Sequence, residues 1–550
     1  MAKDYSQFSK EELLNIVEKL ETRKKYGLIW DEEKVKEQFE KDAENALPVL
    51  KEISSKEITD KNGGPVNILI EGDNYHALSV LNFTHQGKID VIYIDPPYNK
   101  GSKDFKYNDV WIDLEDSYRH SKWLSFMYKR LKLAKPLLSE GGIIFISIDD
   151  NEFAQLKLIC NEIFGEKNFV GNITWEKRTK AQNTETAKEM LQSKTEYILV
   201  YKKEVDKVKF KLEVSREKQY DLQDEKGLYR LKLIEEMSAR GMRGRQTMFF
   251  PINGTKPRDG FQWKYGKDQV NKFQDRGDIE IVDGKPYFKM RPQDESNQSF
   301  IPFWSHFFDK DTYGTAEKGK SELTDIFGTN EHEFETVKPL NLIKKLLFHI
   351  NKNGKEVVLD FFAGSGTTGH ALLNLNKIDD GKRTFILCTN NEENICSNIC
   401  YPRIQKAMHG YKTDKNKKIE GLGGNLKYFK TKFVKKNTNG DDFKTRITHE
   451  CTEMLCLREG VFGEVKKTDH YRIFQQGDKT LAVYYSLDRK TLPTLKKELE
   501  KMELEKILYC FTLDQGGLNK KEFTGWKNVT LEPIPQKILE VYNQIYEYRP

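Results

Sequence analysis

The sequence predicts an α/β protein: a parallel sheet covered by helices on both faces, broken by a basic insert and followed by a small α/β domain. Three observations carry this expectation. Short apolar runs at 66–73 (VNILIEGD), 88–99 (KIDVIYIDPPYN) and 141–150 (GGIIFISIDD) alternate with helical segments, which is the rhythm of βαβ units whose strands are buried on both faces. The rhythm stops near residue 204 and resumes after 316 with KPLNLIKKLLFHI, KEVVLDFFAGSG, TTGHALLNLN and RTFILCTN, read as helix, strand with glycine turn, helix and strand. Finally, 550 residues with 37% hydrophobic and 12% aromatic content can build cores for about two to four domains.

Taken in order, residues 1–60 read as a charged helical extension, in which Leu13, Leu14, Ile16, Val17 and Leu20 form one apolar stripe suited to docking. Residues 61–203 make the first α/β half. It holds the three strands above, the helices DNYHALSVL and SYRHSKWLSFMYKRLKLAKPLL, and a further strand KTEYILVYKK at 194–203. Residues 204–315 differ in character: polar, rich in Lys, Gly and aromatics, without long apolar runs. Between Lys226 and Pro292 there are 15 Lys/Arg against 8 Asp/Glu, a local excess of +7, whereas the whole chain carries +6. Residues 316–424 make the second α/β half. From 425 to 550 a hairpin in DHYRIFQQGDKTLAVYYSL precedes helix and strand in TLPTLKKELEKMELEKILYCFTLD, expected as a separate small α/β domain.

Composition excludes several classes. A mean hydropathy of −0.72 and the lack of any apolar run near roughly 18 residues exclude a membrane-spanning helix. The start, MAKDYSQFSKEELL, has no basic segment followed by an apolar one, so no signal peptide is expected. Seven scattered cysteines without a CxxC pair argue against a disulfide scaffold and a zinc ribbon, and fit a reducing cytoplasm. Cys396 and Cys400, at helical spacing, read as packing residues, as does His370. The ten histidines form no HExxH or other ligand cluster, so no metal is expected.

Two motifs carry chemistry. Asp95-Pro96-Pro97-Tyr98 directly follows the apolar run VIYI, and an acid at a strand's C-terminal end sits where open α/β sheets bind ligands. Two prolines fix φ and remove two N–H groups, leaving carbonyls that can only accept. A rigid acceptor array of this kind suits a planar exocyclic amine, and Tyr98 would offer an aromatic face to a flipped-out base. A plain turn ending the strand is the competing reading. The second motif, Asp360-Phe361-Phe362-Ala363-Gly364-Ser365-Gly366-Thr367-Thr368-Gly369, lies between a strand and a helix. Its glycines permit close backbone approach of a ligand, and the helix N-terminus supplies free N–H donors. It is neither a Walker A nor a full GxGxxG, so ATP and NAD are not the expected ligands.

Together these motifs resemble the amino-methyltransferases. Phe362-x-Gly364-x-Gly366 is similar to their S-adenosylmethionine loop and Asp95-Pro96-Pro97-Tyr98 to their catalytic motif. Catalytic motif first, basic insert next and cofactor loop last is the order of the β class of DNA amino-methyltransferases. Glu71-Gly72-Asp73-Asn74 and Lys338-Pro339 agree with that class. The extension, insert and C-terminal domain most resemble the modification subunit of type III restriction–modification systems. The resemblance covers nearly the whole chain, with its specific motifs within 71–150 and 336–393.

That resemblance implies a Rossmann-like sheet and methyl transfer to adenine N6 of double-stranded DNA, with cytosine N4, RNA, a protein amide or a catalytically silent specificity subunit as alternatives. It also implies that the Asp95 carboxylate and the Pro96 and Pro97 carbonyls hold the amine, and that Tyr98 stacks on the base. Phe362, Gly364 and Gly366 would line the cofactor, with Asp73, Lys338 and Asp360 completing its pocket. The family's acidic ribose ligand has no clear counterpart: the strand ends in Thr389 and Asn390, with Glu392 and Glu393 following. A homodimer, a helicase-like restriction partner and a bacterial cytoplasmic setting are implied as well.

In the insert, Arg240, Arg243 and Arg245 alternate with glycines, and Phe249, Phe250, Trp263 and Tyr265 follow. Forked guanidinium groups suit phosphate or guanine-edge contacts. The competing reading is a solvated loop over a small aromatic core. Asp149-Asp150, ending another strand, could line the pocket without forming a metal site.

Overall fold

The computed structural model describes residues 46–547 apart from 61–62, 102–105, 108–109, 114, 181–187, 190, 208, 242–243, 296–297, 330–331, 333, 335, 351–352, 437–439 and 504, together with 9–10, 12–14, 28 and 30. Most of the expected N-terminal helical extension therefore lies outside the described residues. The chain divides into two units: Lys211–Phe303 is one, and all the rest is the other.

The large unit is organised by one ten-stranded sheet. Its strands in chain order are β1 (Ala46–Glu52), β2 (Val66–Glu71), β3 (Ile89–Ile94), β4 (Leu138–Ile148), β5 (Phe169–Glu176), β6 (Thr195–Lys202), β7 (His306–Phe307), β8 (Val357–Asp360), β9 (Thr384–Thr389) and β10 (Asn425–Lys435). In space they run β1-β10-β2-β9-β8-β3-β4-β6-β5-β7. Strands β10, β2, β9, β8, β3 and β4 are mutually parallel, while β1 and β6 run against their neighbours. The central strands read as near-continuous apolar runs because helices cover both faces: every residue of β3 is buried.

Two crossovers place the functional region. From β3 the chain passes through α2 (Arg119–Ala134) to β4 on one side, and from β8 through α6 (Thr367–Asp379) to β9 on the other. Since β3 and β8 pair directly, Val91 with Val358 and Ile92 with Leu359, the direction of winding reverses between them. Crevices at such switch points receive ligands, because the two following loops diverge there. Both chemistry-bearing motifs emerge at this point. Remaining helices used below are α1 (Asn74–Thr84), α3 (Phe153–Phe164), α4 (Ala316–Phe327), α5 (Leu340–Phe348) and α7 (Tyr401–His409).

Two expected boundaries shift. Residues 46–52 form strand β1 rather than continuing a helical extension, and β10 at 425–435 belongs to the main sheet, paired with β1 and β2. The C-terminal segment does have its own five-stranded sheet and core around Tyr484, Leu495 and Leu508. It is not a separate compact unit, however: Tyr542 donates its hydroxyl proton to the Pro48 carbonyl of β1 at 2.5 Å. Hairpin pairing of Tyr471–Gln476 with Lys479–Tyr484, then helix Leu492–Glu500 and strand Glu505–Phe511, follow the pattern read from sequence.

The second unit, narrower than the expected 204–315, carries a four-stranded sheet from Leu222–Asp224, Gly227–Leu233, Lys285–Met290 and Ile279–Val282. Its core gathers Ile234, Ile252, Trp263, Val270, Phe288 and Met290. Among the described residues of the large unit and the insert, no helix is long and apolar enough to cross a membrane.

Candidate active site

The catalytic motif leaves β3 and is anchored from three directions. Tyr98 turns inward, 4% exposed, and its hydroxyl donates to Asp95 Oδ1 at 2.7 Å. Lys338, just before α5 and 6% exposed, donates from Nζ to Asp95 Oδ1 at 2.9 Å and to the Tyr98 hydroxyl at 2.8 Å. Trp123 of α2 donates its indole N–H to the Pro97 carbonyl at 2.7 Å. The chain then turns at Asn99, φ 60°, whose amide donates to the buried Glu152 carboxylate at 2.6 Å.

Beneath the motif lies a charged array that sequence reasoning missed. Glu196 of β6, 3% exposed, accepts from Lys338 Nζ at 3.1 Å and from Lys177 Nζ at 3.1 Å. Burial by itself would raise its carboxyl, but the charges of Lys338, Lys177 and Lys100 outweigh this and hold it at about 2. Burial likewise works against a charged Lys338, and Asp95 and Glu196 more than reverse it, raising its affinity for the proton. The signal was a lone carboxylate in an apolar run, Lys194-Thr195-Glu196-Tyr197-Ile198-Leu199-Val200. A buried acid in such a strand requires a partner.

The cofactor turn leaves β8. Asp360, 2% exposed, accepts from the Phe362 amide at 3.0 Å and the Thr368 hydroxyl at 2.5 Å, so its carboxylate shapes the turn. Burial pushes it up to about 7, against those two hydrogen bonds. Gly364 and Gly366 adopt positive φ, 48° and 77°. Gly366 opens α6 with no side-chain cap, which leaves first-turn N–H groups for a ligand. From below, the fully buried Arg403 of α7 donates to Ser365 Oγ at 3.0 Å and Thr367 Oγ1 at 2.7 Å. Phe362 is half-buried and packs against Phe126, ring centroids 5.8 Å apart.

A third loop completes the crevice. Gly72 after β2 donates to the Thr389 carbonyl at the end of β9 at 3.0 Å. Asp73 caps α1 by accepting from the Tyr75 amide at 2.7 Å and lies 3.3 Å from Arg130, its side chain 41% exposed. Asn74 donates to the Phe361 carbonyl of the cofactor turn at 3.0 Å. The uncapped helix start, the two left-handed glycines, the Phe362 face and the Asp73 carboxylate fit an elongated ligand with an amino-acid end and an apolar body. Glu392 and Glu393, after β9, are exposed.

Four of the expected site residues have partners that the sequence did not show. Lys338 was expected in the cofactor pocket, yet its contacts are with Asp95, Tyr98 and Glu196, because the segment before α5 passes over the catalytic loop. Pro97 does not present a bare carbonyl, since Trp123 already donates to it. Tyr98 does not show an exposed ring, because three polar partners hold its hydroxyl inward. Asp360 spends its carboxylate on the loop itself, through the Phe362 amide and the Thr368 hydroxyl. Asp149 caps the turn after β4 through the Asn151 amide at 3.0 Å and pairs with Lys100 at 3.6 Å. His370, buried, is pushed down to about 3 by burial, which suits packing rather than proton transfer. Cys396 and Cys400 are buried free thiols, and the described residues hold no group of three metal-ligating side chains.

In the insert, Arg240 and Arg245 are exposed, and Arg243 lies outside the described residues. Much of the insert's positive charge is internally paired: Arg230 with Glu295 at 2.6 Å, Arg258 with Glu236 at 2.5 Å, Arg276 with Asp294 at 2.7 Å and Arg291 with Asp224 at 2.8 Å. Trp263 and Phe250 belong to the core and its margin, whereas Phe249 is 47% exposed.

A glycine turn and an acid-proline-proline turn lie on neighbouring parallel strands at the switch point of a Rossmann-like sheet, the place where enzymes of the α/β class bind their ligands. A DNA methylase family model of the N6/N4 type matches residues 89–399, and the chain belongs to that family. It is 37% identical over 368 residues to the type III restriction–modification enzyme StyLTI Mod subunit of Salmonella typhimurium, an alignment covering 60% of this chain and 53% of that protein. Against the EcoPI Mod subunit of Escherichia phage P1 it is 32% identical over 449 residues, 70% of this chain and 67% of the relative. The chain thus spans about half to two thirds of these relatives' lengths. Among solved structures, the PvuII cytosine-N4-specific DNA methyltransferase aligns with 62% of this chain and 92% of its own at 12% identity and a TM-score of 0.32, too loosely to transfer detail.

Proposed function

We propose that this chain transfers the methyl group of S-adenosylmethionine to adenine N6 in double-stranded DNA, as the modification subunit of a type III restriction–modification system in the bacterial cytoplasm. The observation that carries it is the placement of Asp95 and the Gly364–Gly366 turn at the ends of the paired strands β3 and β8. The Mod names of the relatives, EcoPI and EcoP15I included, support the type III reading and a restriction partner, and the Asp that begins the Asp95-Pro96-Pro97-Tyr98 motif favours adenine over cytosine. A homodimer is part of the same proposal.

The cofactor supplies an electrophilic methyl on a sulfonium centre. The chain's own residues orient the amine. Among the described residues, Tyr98 and Lys338 both donate to Asp95 Oδ1, so Oδ2 is the acceptor for one N–H of the target, with the Pro96 carbonyl for the other. Gripping both N–H groups would point the nitrogen lone pair away from the loop and into the crevice, in line for the methyl; the sulfonium would leave as a neutral thioether, and the nitrogen would pass one proton to the Asp95 carboxylate or to water. Reaching Asp95 requires extrusion of the base from the duplex. Tyr98 could stack on it only by releasing its buried hydroxyl. Arg240, Arg243 and Arg245 contact the DNA. The test is incubation of duplex DNA with labelled S-adenosylmethionine followed by nucleoside analysis. The expected product is N6-methyladenine at one sequence; label appearing only in N4-methylcytosine would overturn the substrate assignment.

A further inference from the structure

Glu196 is the second residue of β6, an interior strand of the sheet, and is buried there, where a carboxylate costs several kcal/mol unless it is fully partnered. Tyr197 to Tyr201 beside it are apolar or aromatic and need no charge to pack. An ammonium has three N–H donors, and those of Lys338 have three acceptors within reach: Asp95 Oδ1 at 2.9 Å, the Tyr98 hydroxyl at 2.8 Å and Glu196 Oε2 at 3.1 Å. The directions of all three bonds are therefore fixed. The Tyr98 hydroxyl, 3.3 Å from Glu196 Oε2, directs its proton to Asp95 Oδ1. Lys177 holds the far oxygen of Glu196 at 3.1 Å. The result is an alternating row, Lys177, Glu196, Lys338, Asp95, whose charges sum to zero.

Resting on the amino-methyltransferase reading, we infer that Glu196 is a positioning residue for the reaction: by taking one N–H of Lys338 it holds the ammonium on Asp95 Oδ1 and keeps Oδ2 open for the incoming amine. Without Glu196, Lys338 has a spare donor and only one carboxylate to satisfy it. It can then bridge both Asp95 oxygens and compete with the substrate for Oδ2. The buried row would also carry a net positive charge beside a nitrogen that gains positive charge as the methyl arrives.

The experiment is steady-state methylation of duplex DNA by the full chain, with S-adenosylmethionine affinity measured separately by calorimetry. Glu196→Gln should lower kcat about tenfold or more, the scale of one hydrogen bond to a charged group, while KM for DNA and cofactor affinity stay within about twofold. Lys338→Met should lower kcat at least as far, and adding Glu196→Gln to it should cost little more, because both act through one ammonium. Lys177→Met, which touches only the far oxygen of Glu196, should give a smaller loss in kcat of the same kind. Unchanged kcat in Glu196→Gln, additive losses in the double variant, or loss of cofactor affinity in both Glu196→Gln and Lys177→Met would overturn the inference. A wild-type chain that methylates no DNA would defeat the underlying reading as well.

Discussion

The loops after β3 and β8 are neighbours on paired parallel strands, yet they are shaped differently. The β8 loop takes its form from local contacts, with Arg403 and Asn74 reaching it from elsewhere in the chain. Asp360 binds the amide two residues on and the hydroxyl eight residues on, and Gly364 and Gly366 supply left-handed backbone. The β3 loop is held from a distance. Its partners are Trp123 on α2, Glu152 before α3, Lys338 before α5 and Glu196 on β6. A backbone-built turn suits a ligand that is bound whole by N–H groups and shape. A charge-built site suits an acceptor that must face one reacting atom at a fixed angle. The two motifs therefore fail differently: the β8 turn through conformation, the β3 loop through electrostatics.

Asp95→Ala should show the largest effect. Methyl incorporation should fall by roughly 10²–10³-fold, the cost of removing a preorganised polar contact, with S-adenosylmethionine affinity unchanged by calorimetry. Retained turnover would place the chemistry elsewhere. Gly364→Val attacks the other loop. Positive φ is strained for a β-branched residue, and the added Cβ would lie 3.4 Å from Phe334, so cofactor affinity should drop about 10–100-fold on 1–3 kcal/mol of strain. Equal affinity in that variant would show that the turn does not carry the ligand.

Glu152 sharpens the contrast through pH. Burial pushes its carboxyl up to about 8, against the Asn99 hydrogen bond and the Arg119 charge. Between about pH 4.5 and 8 the folded chain therefore keeps a proton that the unfolded chain has lost, and stability falls as pH rises through that window. Glu152→Gln should abolish this slope, leaving the melting temperature near wild type at about pH 5 and raising it by about 1–3 °C at about pH 8. A stability difference that is the same at both pH values would exclude Glu152 as its source. The smallest effect is expected from the insert. Arg240→Ala with Arg245→Ala should flatten the salt dependence of DNA binding by about one unit per lost phosphate contact, measured by titration at several salt concentrations. An unchanged slope would assign those arginines to solvent.

Legibility in the sequence followed the same division. The βαβ rhythm, the strands bearing Asp95 and Asp360, and the glycine turn were readable because each depends on residues adjacent in the chain. Periodicity marks a buried strand, and glycines mark positive φ. The strand at 46–52 was not readable as such: Ala46-Leu47-Pro48-Val49-Leu50 sits beside a Glu/Lys-rich stretch, and it becomes a strand only by pairing with β10, some 380 residues away. The insert's +7 is legible in the sequence, but its pairing is not: several of its arginines close ion pairs within their own unit.

Short-range pattern and turn chemistry thus specify the class of fold, the two motifs and their order. The tertiary structure decided which side chains surround Asp95. It placed Lys338 on the Asp95 carboxylate, turned Tyr98 inward, occupied the Pro97 carbonyl with Trp123 and introduced Glu196. The reason is physical: hydrogen bonds and ion pairs act over about 3 Å in space, and Asp95 and Lys338 are 243 residues apart in the chain. Only the strand order brings them within that distance.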